Sequence, residues 1–376
     1  MSSPIADISI PADLRPGDGR FGSGPSKVRP EAVEALAAAS RDYLGTSHRQ
    51  AGVRFMVAAL RNGLSELLEL PDGYEVVLGN GGTTSFWDAA TFCLIDERSQ
   101  HLSFGEFSSK FAACAAAAPH LDAPEVIESD PGTRPEAKAS PAVDAYCLTH
   151  NETSTGVAMP LTRPDGAEGL VLVDGTSGAG GLRFDAAQTD AYYFAPQKCL
   201  ASDGGLWLAA LSPAAIERIE RLAAAGRWVP ASLDLKIALD NSRKDQTYNT
   251  PALATIHLAV TQIQWIIDHG GMPWAAARCD RSAAVVYGWA EASDYARPYV
   301  ADPADRSHVV ATVDLDDALP AATVSSVLRA NGIVDTEGYR KLGRNQLRIA
   351  LYPAIEPDDV AALTRCIDHV AERLAG

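Results

Sequence analysis

Positive charge is scarce in this chain. Its 376 residues carry 32 Lys and Arg against 48 Asp and Glu, a formal net charge of −16. A nucleic-acid surface needs clustered Lys and Arg, so that class of partner is excluded. Small anionic substrates are not excluded, because a few local arginines can still build an anion pocket. Long apolar runs are missing too. No stretch approaches the roughly 18 apolar residues that a membrane-spanning helix needs. Residues 1–20 mix Asp, Pro and Arg without an apolar segment and read as neither signal peptide nor membrane anchor. The six cysteines, Cys93, Cys114, Cys147, Cys199, Cys279 and Cys366, include no Cys-x-x-Cys pair. That scatter argues against a zinc site or a disulfide framework and fits a reducing cytosol. No internal repeat occurs at solenoid or propeller periods.

What is present is an alternation. Short apolar runs at 74–78, 144–148, 170–173, 189–194 and 206–211 read as strands. Residues 29–44, 53–70, 84–94 and 111–118 read as helices between or before them, and 130–141 is a Pro-rich surface loop. Apolar strands alternating with helices imply an α/β fold with a mostly parallel sheet covered on both faces. A helix at 253–269 ends at Gly270-Gly271, and the texture then changes. Helices at 274–293, 321–331 and 358–374 with strands at 308–313 and 346–351 predict a smaller C-terminal α+β domain. The expected division is an N-terminal segment 1–20, a large domain 21–270 and a small domain 271–376.

The chemistry-bearing residues follow the strands. Lys198, in Ala195-Pro196-Gln197-Lys198, sits on a loop between two apolar runs, and lysine is rarely buried without a task. Asp174 ends the run Leu170-Val171-Leu172-Val173. A lysine and an acid at the ends of consecutive strands suggest a pyridoxal phosphate (PLP) site, with the amine holding the aldehyde and the acid pairing with the ring nitrogen. Taken alone, each residue has a plainer reading: the Asp as a turn former, the Lys as a solvated side chain.

Gly79-Asn80-Gly81-Gly82, followed by Thr83, Thr84 and Ser85, has the strand–turn–helix form that cradles phosphate. It is neither a P-loop nor the dinucleotide glycine pattern, and a tight turn with capping hydroxyls explains it equally in isolation. Asn151-Glu152-Thr153 follows another strand, where polar side chains face the usual ligand crevice. His48-Arg49, Arg340 and Arg348 supply anion-binding potential. Arg49 could equally be a surface residue, and Arg348, inside an apolar run, a structural ion pair. Cys199 beside Lys198 reads as an inert buried thiol.

These motifs together resemble the phosphoserine aminotransferases, class V members of the fold-type-I PLP aminotransferases, in their actinobacterial form. Ser47-His48-Arg49, Asn151-Glu152-Thr153, Val173-Asp174, Gln197-Lys198 and Tyr248-Asn249-Thr250-Pro251 carry the resemblance, which runs from Phe21-Gly22-Ser23-Gly24-Pro25 to the last helix. It implies that Lys198 binds PLP covalently, that Asp174 pairs with the ring nitrogen and that Thr153 touches the ring oxygen. Gly82, Thr83 and Gln197 would take the phosphate, with Thr84 beside them. Asn249 and Thr250 would complete that phosphate site from a second subunit, making the active unit a homodimer. Arg348 would hold the substrate α-carboxylate. His48, Arg49 and Arg340 would receive the phosphate of phosphoserine or the side-chain carboxylate of glutamate.

Three positions depart from the family pattern. Phe107 stands where a ring-stacking Trp is common, Thr83 replaces an arginine, and Tyr339 replaces a histidine; Lys341 and Arg344 lie near enough in sequence to compensate. The implied reaction is transamination between glutamate and 3-phosphohydroxypyruvate in serine biosynthesis, with 4-phosphohydroxythreonine of pyridoxine biosynthesis as a further candidate. Rival readings are another class V enzyme of the serine–pyruvate or alanine–glyoxylate type, and a non-catalytic phosphate-ligand-binding α/β protein. A cysteine desulfurase needs a mobile-loop cysteine, and beyond Cys279 only Cys366 remains, within the last predicted helix.

Overall fold

The computed structural model describes residues 8–375, so the first seven residues of the 1–20 segment lie outside the described residues. Two helices come first, α1 (Pro30–Tyr43) and α2 (Ala51–Leu67). Val53, Val57, Leu60, Leu64 and Leu67 make the buried stripe of α2 at helical spacing. Then β1 (Glu75–Asn80), α3 (Thr83–Cys93), β2 (Ser99–Ser103), α4 (Glu106–Ala117), β3 (Glu125–Glu128) and β4 (Ala145–Thr149) succeed one another. A small hairpin of β5 (Asn151–Glu152) and β6 (Val157–Ala158) precedes β7 (Leu170–Asp174), β8 (Ala191–Phe194) and β9 (Leu206–Leu211). Three helices follow: α5 (Pro213–Ala224), α6 (Leu235–Ser242) and α7 (Leu253–Asp268).

Seven strands form one sheet in the order β1-β9-β8-β7-β4-β2-β3. The five from β3 to β8 run parallel, and β9 is antiparallel to both β8 and β1. Side chains alternate between the two faces. Val171, Val173, Tyr192 and Phe194 join the core under α2 and α7, while Leu170, Leu172, Ala191 and Tyr193 join the core under α3 and α5. Both faces are covered, as the continuous apolar runs require.

Two differences from the sequence reading bear on the site. No strand was expected at 99–103, yet β2 is buried at all five residues inside the sheet. Its polar side chains are satisfied locally: Ser99 Oγ pairs with His101 Nε2 at 2.9 Å, and Gln100 Nε2 donates to the Lys138 carbonyl at 2.9 Å. The helix expected at 111–118 begins at Glu106, because the buried Glu152 carboxylate accepts from the Phe107 and Ser108 amides at 3.1 and 2.9 Å. That start places Phe107 in the first helical turn.

Gly270, in the left-handed region at φ +117°, separates α7 from α8 (Gly271–Ala292). Beyond it, β10 (Ala296–Pro298), β11 (Val310–Leu315) and β12 (Gln346–Ala350) form a three-stranded antiparallel sheet packed by α8, α9 (Ala321–Ala330) and α10 (Pro357–Ala375). Ile10 and Phe21 belong to this same core. Phe21, expected at the start of the large domain, is tied there by backbone bonds: its amide donates to Val334 O at 3.2 Å and its carbonyl accepts from the Ala350 amide at 3.0 Å. No helix among the described residues is long and apolar enough to cross a membrane.

Candidate active site

Consecutive parallel strands deliver their loops to one edge, the usual ligand position in such sheets. A cavity of about 470 Å3 opens there. Asp174 reaches it from the last position of β7, and Gln197 and Lys198 from the loop after β8. Thr153 comes from the β5–β6 hairpin, Phe107 from the first turn of α4, and Gly82, Thr83 and Thr84 from the start of α3.

Asp174 is 5% exposed. Its Oδ2 accepts from Trp87 Nε1 at 3.0 Å and its Oδ1 from the Thr176 amide at 2.9 Å. Burial pushes its proton affinity up, and the donors of Thr176 and Trp87 only partly oppose the shift. Such a carboxylate gains from a cation placed in the cavity. Lys198 shows the opposite effect: burial first, and then the positive charge of Arg348, lower its pKa to about 8. Its amine donates to the Ser23 carbonyl at 2.6 Å. Tyr352 Oη donates to the same carbonyl at 2.9 Å.

The start of α3 is open to an anion. Gly82 caps it without a side-chain hydrogen bond, and its first turn contains no acid. The leading amides and the helix dipole are therefore free for a phosphate. Thr176 Oγ1 donates to Thr83 Oγ1 at 2.8 Å, which orients the Thr83 hydroxyl at the cavity wall. Phe107 is fixed by the Glu152 carboxylate, which also accepts from Ser108 Oγ, the Ser154 amide and Ser154 Oγ at 3.0, 3.1 and 2.6 Å. Five donors on one fully buried carboxylate make a rigid corner.

A second cavity of about 450 Å3 shares Gly24 and Pro25 with the first and contains Tyr339, Arg340, Lys341 and Arg348. The Arg348 guanidinium lies 5.3 Å from the Tyr339 ring centroid, and that ring lies 6.1 Å from Phe107. Arg348 makes one long hydrogen bond, to Thr153 O at 3.3 Å, while its buried Nε has no partner. Burial lowers its pKa. Among the described residues, the structural ion pair considered for it from sequence does not occur. Lys341 is engaged by Glu106, and Arg344 by Asp314.

Four residues expected in the site lie elsewhere in the same chain. His48 Nδ1 contacts Thr250 Oγ1 at 3.2 Å, and Arg49 bonds Gln246 Oε1 at 3.0 Å. Asn249 lines a separate small pocket, and Thr250 O accepts from Asn80 Nδ2 at 3.0 Å. Arg49, Asn249 and Thr250 are exposed. Conversely, Trp87, Thr176 and Asp203 line the main cavity without having been singled out. Thr176 follows Asp174 by two residues, a spacing that suits a local bond to its carboxylate. Trp87 follows Thr83 by four on α3, a helical neighbour that spacing alone could have suggested.

The residues present fit PLP. Asn151 Oδ1, Gln197 Oε1 and Arg348 Nε are buried and unpartnered around the two cavities, and buried polar atoms are ordinarily paired. An open helix start, an aromatic face, a buried acid and an amine shifted toward neutrality match the phosphate, ring, ring nitrogen and aldehyde in turn.

The class-V aminotransferase family model matches residues 20–363. A phosphoserine aminotransferase of Rhodococcus jostii is 58% identical over 374 residues, covering 99% of each chain. A Mycolicibacterium vanbaalenii protein, provisionally named for the same activity, is 59% identical over 369 residues, 98% of this chain and 99% of that relative. Among solved structures, a phosphoserine aminotransferase of Cytophaga hutchinsonii superposes with a TM-score of 0.86 at 24% identity, covering 93% of this chain and 99% of that one. An aspartate aminotransferase of Thermus thermophilus superposes at 0.81 with 26% identity, covering 94% and 99%. The first of these speaks to the fold, and the whole-length likeness to the Rhodococcus protein reaches further. The chain belongs to the class-V aminotransferase family.

Proposed function

We propose that this chain is a PLP-dependent transaminase that moves an amino group from glutamate to 3-phosphohydroxypyruvate, giving 2-oxoglutarate and O-phosphoserine for serine biosynthesis. The same pocket would take 4-phosphohydroxythreonine, which carries the same anionic groups. The observation that carries the reading is the convergence of Lys198, Asp174 and the open start of α3 on one cavity, beside an arginine with no carboxylate partner. The relatives named for this activity, near 59% identity over the full length, support it.

When bound, PLP supplies an electron sink that makes the substrate Cα proton removable. The protein supplies the rest. The Thr83 and Thr84 amides, Gly82 and Gln197 would hold the phosphate, and Phe107 would pack against the ring. Asp174 would pair with the ring nitrogen and favour its protonated form. Arg348 grips the α-carboxylate, for which its unpartnered Nε is suited. Lys198 Nζ, with its pKa lowered to about 8, exists partly as a neutral amine near physiological pH and can take up and return the Cα proton. Arg340, beside Arg348 in the outer cavity, receives the distal phosphate or carboxylate.

We place Asn249, Thr250, His48 and Arg49 at the cavity of a second copy. Their clustering away from their own cavity supports a homodimer with shared sites. A cytoplasmic location accords with six free thiols.

Borohydride treatment followed by peptide mapping is the direct test, and a pyridoxyl group on Lys198 is expected. Its absence would remove the reading. Turnover should favour glutamate with 3-phosphohydroxypyruvate over aspartate with 2-oxoglutarate and over alanine with glyoxylate. A preference for either of the latter pairs would move the chain to another member of the family.

A further inference from the structure

Asp174 is gripped from two sides, and one grip comes from a different element. Thr176, two residues on, bonds Oδ1, whereas Trp87 on α3 bonds Oδ2. An indole nitrogen can only donate, so this bond requires a lone pair on the carboxylate and favours its ionised form. The indole is not free to follow the carboxylate. It is 5% exposed and stacks on Phe111, with ring centroids 5.9 Å apart at 17°. Its orientation is therefore set by core packing, and the carboxylate adapts to it.

With one donor on each oxygen, the plane of the carboxylate is fixed. A carboxylate offers about four lone-pair sites, so two remain for the cavity. No other element duplicates the indole: the Thr176 hydroxyl, which also favours the ionised form, belongs to the same turn as the Thr176 amide. Tyr193, the cross-strand partner of Asp174 on β8, makes no hydrogen bond to the carboxylate. Glu152 carries like charge and Lys198 opposite charge, but neither bonds Asp174.

We propose that Trp87 is a positioning residue: its N–H sets the direction of the Asp174 carboxylate toward the cofactor ring nitrogen and holds it ionised there. This rests on the reading of Asp174 as the partner of that nitrogen. Removing the donor leaves a buried carboxylate less well oriented. The expected loss is about 10- to 100-fold in the hold on a cationic ring, the scale of one hydrogen bond to a charged group.

The test is a double-mutant cycle read by PLP binding to the apoprotein. Dissociation constants are measured for the parent, Trp87→Phe, Asp174→Asn and the double variant. Trp87→Phe should weaken binding about 10- to 100-fold in the Asp174 background and less than about twofold in the Asp174→Asn background. Equal weakening in both backgrounds would assign Trp87 to packing and overturn the proposal, as would no weakening in the first. Site-specific replacement of Trp87 by 3-benzothienyl-alanine keeps the shape and deletes only the donor. It should reproduce the loss. Parental affinity in that protein, or its failure to fold, would overturn the proposal as well. Parental turnover in Asp174→Asn alone would instead sink the reading of Asp174, on which the inference stands.

Discussion

Gly24→Ala sets a single methyl group against the reactive amine. Gly24 has φ +151°, and a Cβ built there would stand 2.6 Å from Lys198 Cε, 3.2 Å from Cδ and closer still to Nζ. Non-bonded carbons settle at about 3.5–4.0 Å, so the lysine head must give way by roughly 1 Å. A lysine end can move, so the chain should still fold. The positive φ adds strain of about 1–3 kcal/mol. Moving the head by that distance costs the 2.6 Å bond to the Ser23 carbonyl and carries the amine off its working position. A misplacement of about 1 Å at a reacting group lowers rates on the order of 100-fold. The expected result is therefore kcat down about 100-fold, with a thermal midpoint lower by only a few degrees. Initial rates with glutamate and 3-phosphohydroxypyruvate, beside a thermal melt, measure both. Gly288→Ala is the control, because Gly288 lies exposed in α8 with nothing within 4 Å of an added Cβ. It should keep its rate and gain about 0.5–1 kcal/mol. Parental kcat in Gly24→Ala would refute the claim that catalysis depends on where Ser23 and Gly24 hold the lysine.

Glu152→Gln replaces a carboxylate oxygen with an amide facing five donors, and should cost about 3 kcal/mol of stability by urea unfolding; a loss under about 1 kcal/mol would show that the corner tolerates rearrangement. Lys198→Met should stabilise the apoprotein. The folded lysine titrates near 8, below its free value, so between the two the unfolded chain holds a proton that the folded chain has released. The contribution of this group thus rises with pH through that window and is least favourable below it. The gain from Lys198→Met should be about 1–3 kcal/mol near pH 7 and shrink as pH climbs past about 8, whereas a pH-independent gain would point to packing. Shared sites predict complementation. Co-expressed Lys198→Ala and Thr250→Glu chains, each inactive alone, should recover roughly a quarter of parental activity, because half of the dimers are hybrid with one intact site each. No recovery would place the phosphate site within a single chain.

The legible parts of this molecule were those whose physics is local. Leu170-Val171-Leu172-Val173 and Leu206 to Leu211 read as buried strands because every residue is apolar, and all are buried. The carboxyl end of such a strand is where a ligand meets the sheet, so Asp174 and Lys198 could be named from their places after strands. The strand β2 could not, since Ser-Gln-His-Leu-Ser has a loop composition and is tolerated only because Lys138, Glu125 and its own side chains satisfy it. The same limit hid Trp87. An aromatic on an apolar helix reads as core, and its bond to Asp174 exists only after α3 packs on the sheet. Four of the anion-binding candidates, His48, Arg49, Asn249 and Thr250, were not placed by local physics either: within one chain they contact one another or Gln246 and Asn80 rather than the cavity.

A chain with net charge −16 can bind dianions because bulk charge and site charge are different quantities. Surface acids more than about 8–10 Å away are largely screened at physiological salt, so the outer cavity is governed by what lies inside it. Its two acids, Asp335 and Glu337, are both engaged by Arg329, at 3.0 and 2.8 Å. Lys341 is engaged by Glu106. Among the described residues, Arg340 and Arg348 have no such partner, and α3 offers a helix start with no acid in its first turn. Asp335 and Glu337 thus neutralise Arg329, which stands outside the cavity, while Lys341 at its wall is taken up by Glu106. Two arginines and one helix dipole remain uncompensated, and these are the charges that the proposed reading assigns to the anionic groups of substrate and cofactor. Losing an acid such as Glu337 would leave Arg329 paired with Asp335 and the site's own cations in place, whereas losing Arg348 removes a cation that no neighbour replaces.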